Sequence, residues 1–309
     1  MRRAIAPLIL LLFLASGCET ENVPLPVVHP PAADFPLLLT DGFCLLYGNR
    51  VVLDHNDIDY YDFSAHLIYL KEAGAIEEKY QKPGTAWVYA DSIKIYELSL
   101  VSQFASYIPQ GPVIWFPPIF YPDYTVHIDM AWYYAYEWLD KPDPREDPRI
   151  VEALERYGQF RLGLQGEIRV VRYTPPGYVE LELELHNEDS LNYYYYDPEK
   201  MGMGVYHYFT NGLFISDTTT HQNYTHYVTH VQPDSGSGTD LEWMSLLEAD
   251  SSVTITLIYD PFDEIPPGTY FADFVFPGPH SGVERMELEQ ENGRLWLGDI
   301  NMSCVVTIE

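Results

Sequence analysis

Nine residues in mid-chain, Tyr178 to His186 (YVELELELH), constrain the fold more than any other stretch. Val179, Leu181, Leu183 and Leu185 alternate without a break against Glu180, Glu182, Glu184 and His186. Successive side chains of a strand point to opposite faces, so a period of two gathers the apolar set on one face and the charged set on the other. A helix would scatter both sets round its axis. The segment reads as a strand with one dry face, and the chain must supply a second layer to cover it. A longer alternation runs from Val126 to Trp138. Val126, Ile128, Met130, Trp132, Tyr134, Tyr136 and Trp138 lie on one face, with His127, Asp129, Ala131, Tyr133, Ala135 and Glu137 on the other. The 26 Tyr and 14 Phe of the chain also favour strands over helices.

These patterns predict a mostly β protein in two units. The first spans 37–164 and is an α+β unit, an antiparallel sheet with one helix near 148–157. Asp147 supplies the N-cap and Pro148 the first helical position. Ile150, Val151, Leu154 and Tyr157 form the apolar stripe, and Gly158 ends the helix. The second unit, 165–309, reads as all-β. Its last hairpin is announced by Asn292-Gly293 between MELEQE and RLWLGDI. Short strands with regular turn punctuation predict a β-sandwich. The tract Asp234 to Asp240 (DSGSGTD) reads as a flexible loop within it.

The chain begins with Arg2 and Arg3, an apolar run from Leu8 to Leu14, and then Ala15-Ser16-Gly17-Cys18. This resembles the lipobox of bacterial lipoproteins, with Leu14 one place earlier than the most usual leucine. The resemblance implies that 1–17 is a signal peptide and that Cys18 carries the lipid. Two or three acyl chains anchor a protein stably where one does not. Residues 18–36, with Pro24, Pro26, Pro30, Pro31 and Pro36, form an extended tether. Glu19, in place of the aspartate that retains such proteins at the inner membrane, points to the outer membrane. The expected location is the bacterial cell envelope.

A second resemblance lies in the C-terminal half. Leu181 to Asp189 (LELELHNED) and Leu247 to Phe276, with Pro267-Gly268-Thr269-Tyr270 at a strand start, are similar to the outer strands of the immunoglobulin-like domain in intracellular-proteinase-inhibitor-type proteins. The resemblance implies an immunoglobulin-like β-sandwich. The intervening NYYYYDPEKMGMGVYHYFTNG departs from that pattern, so inhibitory activity does not carry over. The N-terminal unit is similar to uncharacterised lipoprotein domains, which adds no chemistry.

Charge excludes one class of partner. With 17 Lys+Arg against 46 Asp+Glu, the net charge is −29, and a nucleic-acid backbone would be repelled. No Gly-x-Ser-x-Gly, P-loop, dinucleotide fingerprint or His-Glu-x-x-His is present. His226 and His230 share a face if their segment is a strand, with His221 in the preceding turn. They are the metal candidates, set against ordinary solvent-facing positions. Asp54 to Asp62, Asp140 to Asp147 and Asp260 to Glu264 are the calcium candidates, set against surface charge. Cys44 and Cys304 are open to two readings, a disulfide across an exported domain or two separate buried thiols.

The aromatic tracts carry the functional expectation. Tyr134, Tyr136 and Trp138 lie beyond the length of most strands, and Tyr193 to Tyr196 must place two rings on each face. Tyr134, Tyr136, Trp138, Tyr194 and Tyr196 are therefore the ligand-binding candidates, for a protein or a glycan. The expected function is a lipid-anchored envelope protein acting as a non-enzymatic binding or structural module. The alternative is an envelope hydrolase using paired carboxylates, such as a glycosidase.

Overall fold

The computed structural model describes residues 41–74, 82–107, 109–116, 120–131, 142–233, 241–279 and 282–309, and over these the chain is mostly β. In order come β1 (Phe43–Tyr47), β2 (Arg50–Asp54), β3 (Ile58–Asp62), β4 (Leu67–Leu70), β5 (Gly84–Ala90), β6 (Ile93–Ser102), β7 (Gly111–Phe116), β8 (Thr125–His127), β9 (Asp129–Ala131) and helix α1 (Pro148–Arg156). Then follow β10 (Phe160–Arg161), β11 (Leu164–Thr174), β12 (Tyr178–Asn187), β13 (Tyr193–Tyr196), helices α2 (Pro198–Met201) and α3 (Met203–Phe209), β14 (Leu213–Asp217) and β15 (Asn223–Thr225). The chain closes with β16 (Met244–Leu247), β17 (Ser251–Tyr259), β18 (Gly268–Phe276), β19 (Glu289–Gln290), β20 (Gly293–Leu295) and β21 (Ile300–Ile308).

The strands gather into five sheets, as many as a five-bladed propeller has blades, instead of one antiparallel sheet and a two-layer sandwich. Their orders are β2-β1-β5-β6-β7-β9, β10-β3-β4-β8, β11-β12-β17, β16-β13-β20-β19 and β15-β14-β18-β21. The expectation of a purely antiparallel N-terminal sheet is also corrected. β6 pairs parallel with β7, and β10 pairs parallel with β3. Sequence alternation says which residues share a face, but not which strands become neighbours.

β12 realises its alternation in full. Val179, Leu181, Leu183 and Leu185 are completely buried. They share one apolar core with Ile215 of β14, Phe274 of β18 and Met302 of β21. The outward Glu180 and Glu182 pair with Arg172, and Glu184 with Arg169. Helix α1 also forms as the caps dictate. Asp147 accepts the Arg149 amide, and Gly158 closes the helix at φ +65°. Ile150, Ala153 and Leu154 face inward, so the buried stripe is narrower than expected and Tyr157 lies outside it, 38% exposed. Leu154→Ala is expected to cost about 2 to 5 kcal/mol and Glu155→Ala under about 0.5. Equal midpoint shifts in denaturant melts would contradict this assignment of faces.

The thirteen-residue strand expected from Val126 breaks at Ile128. β8 belongs to the sheet of β4, and β9 to the sheet of β7. Between them, the Ile128 amide donates to the His66 carbonyl, and its own carbonyl accepts from Arg145 Nη1 at 2.8 Å. The backbone groups that would continue the ladder are thus spent elsewhere, and the chain changes sheets.

β3 and β4 form a wall buried on both sides. Ile58, Tyr61, Ile68 and Leu70 enter one core with β1, β5, β6 and α1. Tyr60, Leu67 and Tyr69 enter the other, which continues through β12, β18 and Trp296. The hairpin near Asn292-Gly293 forms one residue early, with Gln290 opposite Gly293. Gly293 serves a close approach, because a Cβ there would lie 2.7 Å from the Asn192 carbonyl oxygen.

Candidate binding cleft

Cys18, Tyr134, Tyr136, Trp138 and the Asp234–Asp240 tract lie outside the described residues. Tyr194 and Tyr196 fall on β13, which is covered on both edges by β16 and β20. Tyr196 has no exposed surface, and its ring lies 5.0 Å from Phe209. Tyr193 and Tyr195 are buried as well, and only Tyr194 is half-buried. The four-tyrosine tract is therefore core, which corrects its reading as a ligand surface. The sequence offered no sign that both faces of so short a strand would be covered.

Cys44 and Cys304 form no disulfide. Cys44 is buried in β1 and Cys304 half-buried in β21.

The histidine cluster gains a member that the sequence did not single out. His207, at the end of α3, stands 4.7 Å from the His226 ring, and His230 lies 6.5 Å from His226. His207 Nδ1 lies 2.8 Å from the Met203 carbonyl, and its Nε2 lies 3.2 Å from the Tyr259 hydroxyl. His226 Nε2 reaches the Asn211 carbonyl at 2.9 Å, and its Nδ1 accepts the Val228 amide at 3.1 Å. Carbonyl acceptors demand an N–H on one nitrogen of each ring, and the Val228 amide demands a lone pair on His226 Nδ1. Burial lowers the His207 pKa to about 4 and also lowers that of His226. Both rings are thus neutral and fully engaged. Of the two metal candidates, His226 has no nitrogen left to offer, and it is buried at 8% exposure instead of standing at a solvent-facing position.

Asp140 lies outside the described residues, and several other members of the acidic clusters are paired within the chain. Asp59 pairs with Arg285, Asp143 with Arg145 and Asp147 with Arg149. Asp263 accepts the Thr225 amide and the Tyr227 hydroxyl. On the wet face of β11 and β12, Glu167, Glu184 and His186 bring ligand atoms within 4.8 Å of one another. Arg169 pairs with both glutamates there.

One carboxylate stands apart. Asp62, 2% exposed, accepts from the Ser64 amide, the Ser64 hydroxyl and Trp296 Nε1, the last at 2.8 Å. Burial raises its pKa to about 7. Gly163, at φ +66°, permits this approach, because a Cβ there would meet the carboxylate at 2.2 Å. Asp62 and Trp296, 234 residues apart, tie the N-terminal wall to the C-terminal core.

Among the described residues a concave site forms elsewhere. A cleft of about 480 Å³ lies between residues 120–124 and 282–285, with Ala73 at its edge. Tyr121 and Tyr124 are fixed in its wall: Tyr121 Oη lies 3.2 Å from Asp299 Oδ2, and Tyr124 Oη donates to the Val283 carbonyl at 2.9 Å. Phe120 is not packed away; its side chain is 68% exposed. Across the cleft, Glu284 and Glu287 form a reciprocal capping box that shapes the facing turn. Arg285 lies 5.8 Å from the Tyr124 ring, donates to the Leu70 carbonyl and pairs with Asp59 at 3.2 Å.

No protein-family model matches the chain, and no curated protein matches it.

The cleft residues come from segments about 160 positions apart, and neither segment carries a motif. Only the tertiary fold brings them together. Pockets of roughly 300 to 1,000 Å³ are the usual size for ligand sites. This one combines fixed aromatic walls, one exposed ring and a few charged groups, which suits recognition of a partner's side chains. Among the described residues no helix is long and apolar enough to cross a membrane.

Proposed function

We propose that the protein is a lipid-anchored component of the bacterial cell envelope that binds a partner, without catalysis, in the cleft between Phe120 and Arg285. The observation that carries the binding reading is the exposed Phe120 ring beside two tyrosines held by hydrogen bonds. A single exposed apolar side chain is ordinary on a protein surface; what favours binding at Phe120 is that it lines a concave site of ligand-binding size together with fixed aromatic rings. The anchoring rests on the lipobox resemblance at Cys18.

The hydrolase alternative has less support. A hydrolase of that kind needs a carboxylic acid with a raised pKa facing its substrate. Asp62 has the raised pKa, but it is 2% exposed, bonded to Trp296 and Ser64, and does not line the cleft.

In the C-terminal half, β11-β12-β17 and β15-β14-β18-β21 contribute to one apolar core, and the Tyr270 hydroxyl donates to the Pro266 carbonyl at 2.6 Å.

In cell fractionation, Cys18→Ser is expected to move the full chain from the membrane to the soluble fraction, or to leave it unprocessed. In the same cells, a photoreactive phenylalanine analogue replacing Phe120 is expected to crosslink to an envelope component. The analogue replacing Ile93, which is 49% exposed, is not. Normal membrane retention of Cys18→Ser would defeat the anchoring, and equal crosslinking from both positions would defeat the cleft.

A further inference from the structure

We propose that the cleft takes a basic peptide segment of a partner protein, with one apolar side chain seated against Phe120 and its lysine or arginine groups facing Asp123 and Glu284. This rests on the binding reading above and names the chemistry of the partner.

Three features of the molecule point the same way. First, the cleft is lined by two carboxylates, Asp123 and Glu284, against one cation, Arg285. The guanidinium of Arg285 is already met by Asp59, so the carboxylates set the sign of the field inside. Second, the whole chain carries 46 Asp+Glu against 17 Lys+Arg, and an acidic surface focuses cations into its concave regions and speeds their association. Third, the cleft carries an uncovered apolar ring: Phe120, which lines it, is 68% exposed. A small cation alone would leave this ring uncovered, whereas a basic segment bearing a leucine or phenylalanine would cover it while meeting the carboxylates. The walls are preformed by the Tyr121 and Tyr124 hydrogen bonds and the Glu284–Glu287 capping box, so little ordering cost attends docking.

The test uses the full chain in a non-ionic detergent and two synthetic eight-residue peptides, titrated by calorimetry at low salt. One alternates lysine and leucine around a single phenylalanine. The other has glutamine in place of every lysine. The lysine peptide is expected to bind about tenfold tighter or better, with an advantage that shrinks as salt is raised. Phe120→Ala is expected to weaken it by about tenfold. Asp123→Asn should weaken it by about threefold, while the distant Glu155→Gln leaves it unchanged. Phe120 is exposed, so its removal leaves the fold intact and isolates the contact.

Equal binding of the two peptides, still weakened by Phe120→Ala, would overturn the basic partner and leave the cleft as a binding site. Binding that ignores Phe120→Ala, or no binding of either peptide, would overturn both. An effect of Glu155→Gln equal to that of Asp123→Asn would reduce the attraction to the general acidity of the surface and overturn the proposal.

Discussion

Trp296→Ala is expected to be among the most damaging single changes in this protein. The indole is 1% exposed and among the largest fully buried side chains. Truncating a buried Trp costs about 3 to 5 kcal/mol in lost transfer energy and cavity formation. The indole N–H also satisfies Asp62 Oδ2 at 2.8 Å, and a buried acceptor left without its donor costs about 1 to 3 kcal/mol more. Trp296→Phe narrows these contributions, because it keeps one aromatic ring while losing the N–H and the rest of the indole. It should cost the second amount plus a smaller cavity cost. Denaturant melts of the two variants decide the matter. If Trp296→Phe is as harmless as a surface change, the bond to Asp62 contributes nothing.

The second large effect is a pH dependence that Asp62→Asn should remove. Burial pushes the folded carboxyl up to about 7, from an ordinary aspartate value near 3.8. A raised carboxyl pKa means that the folded chain keeps a proton that the unfolded chain has lost. Between pH 4 and 7 the stability contributed by this group therefore falls as pH rises, by roughly 4 kcal/mol over the whole window at 1.36 kcal/mol per unit. Asparagine cannot ionise, so the variant escapes this fall. It has its own cost, because its amide nitrogen meets donors from Ser64 or Trp296 where an oxygen stood. That cost is independent of pH. His207 and His226 act in the opposite direction. Burial lowers their pKa values, so their contribution is present above about 6.5 and lost as pH falls. They are the same in both chains and cancel in the difference. The stability of Asp62→Asn minus that of the parent should rise steadily from pH 4 to 8. A flat difference would mean that Asp62 ionises as freely in the folded chain as in the unfolded one.

Much of the local structure was legible in the sequence. The alternation at Tyr178–His186 specified β12 and its dry face, and Asp147-Pro148 with Gly158 specified α1, because these signals lie within one element and answer to backbone geometry alone. Ile128 shows where legibility ends. Its alternation continued, but the chain changed sheets there because His66 and Arg145, both distant in sequence, took its backbone bonds. The tetra-tyrosine tract failed for a related reason. A run of tyrosines looks the same whether its strand stands on a surface or between two layers, and only β16, β20 and Phe209 settle which. In the sequence Asp62 is one acid of the Asp54–Asp62 calcium-candidate cluster. Its isolation needed Trp296, which the sequence places 234 residues away. The cleft was illegible for the same reason, since Phe120 and Arg285 become neighbours only after both halves have packed.

The wall of β3 and β4 also sets a timetable. One of its faces is covered early, by β1, β5 and α1, all from the first half of the chain. The other waits for β12, β18 and finally Trp296, so the N-terminal half emerges from a ribosome or a translocation channel with Tyr60, Leu67 and Tyr69 still open to water. A polypeptide delivered end first cannot close this face until nearly its last residues arrive. Throughout that interval the nascent chain presents a sticky aromatic surface, which makes it a natural client for a holding chaperone and makes C-terminal truncation far more harmful than its distance from residue 60 suggests.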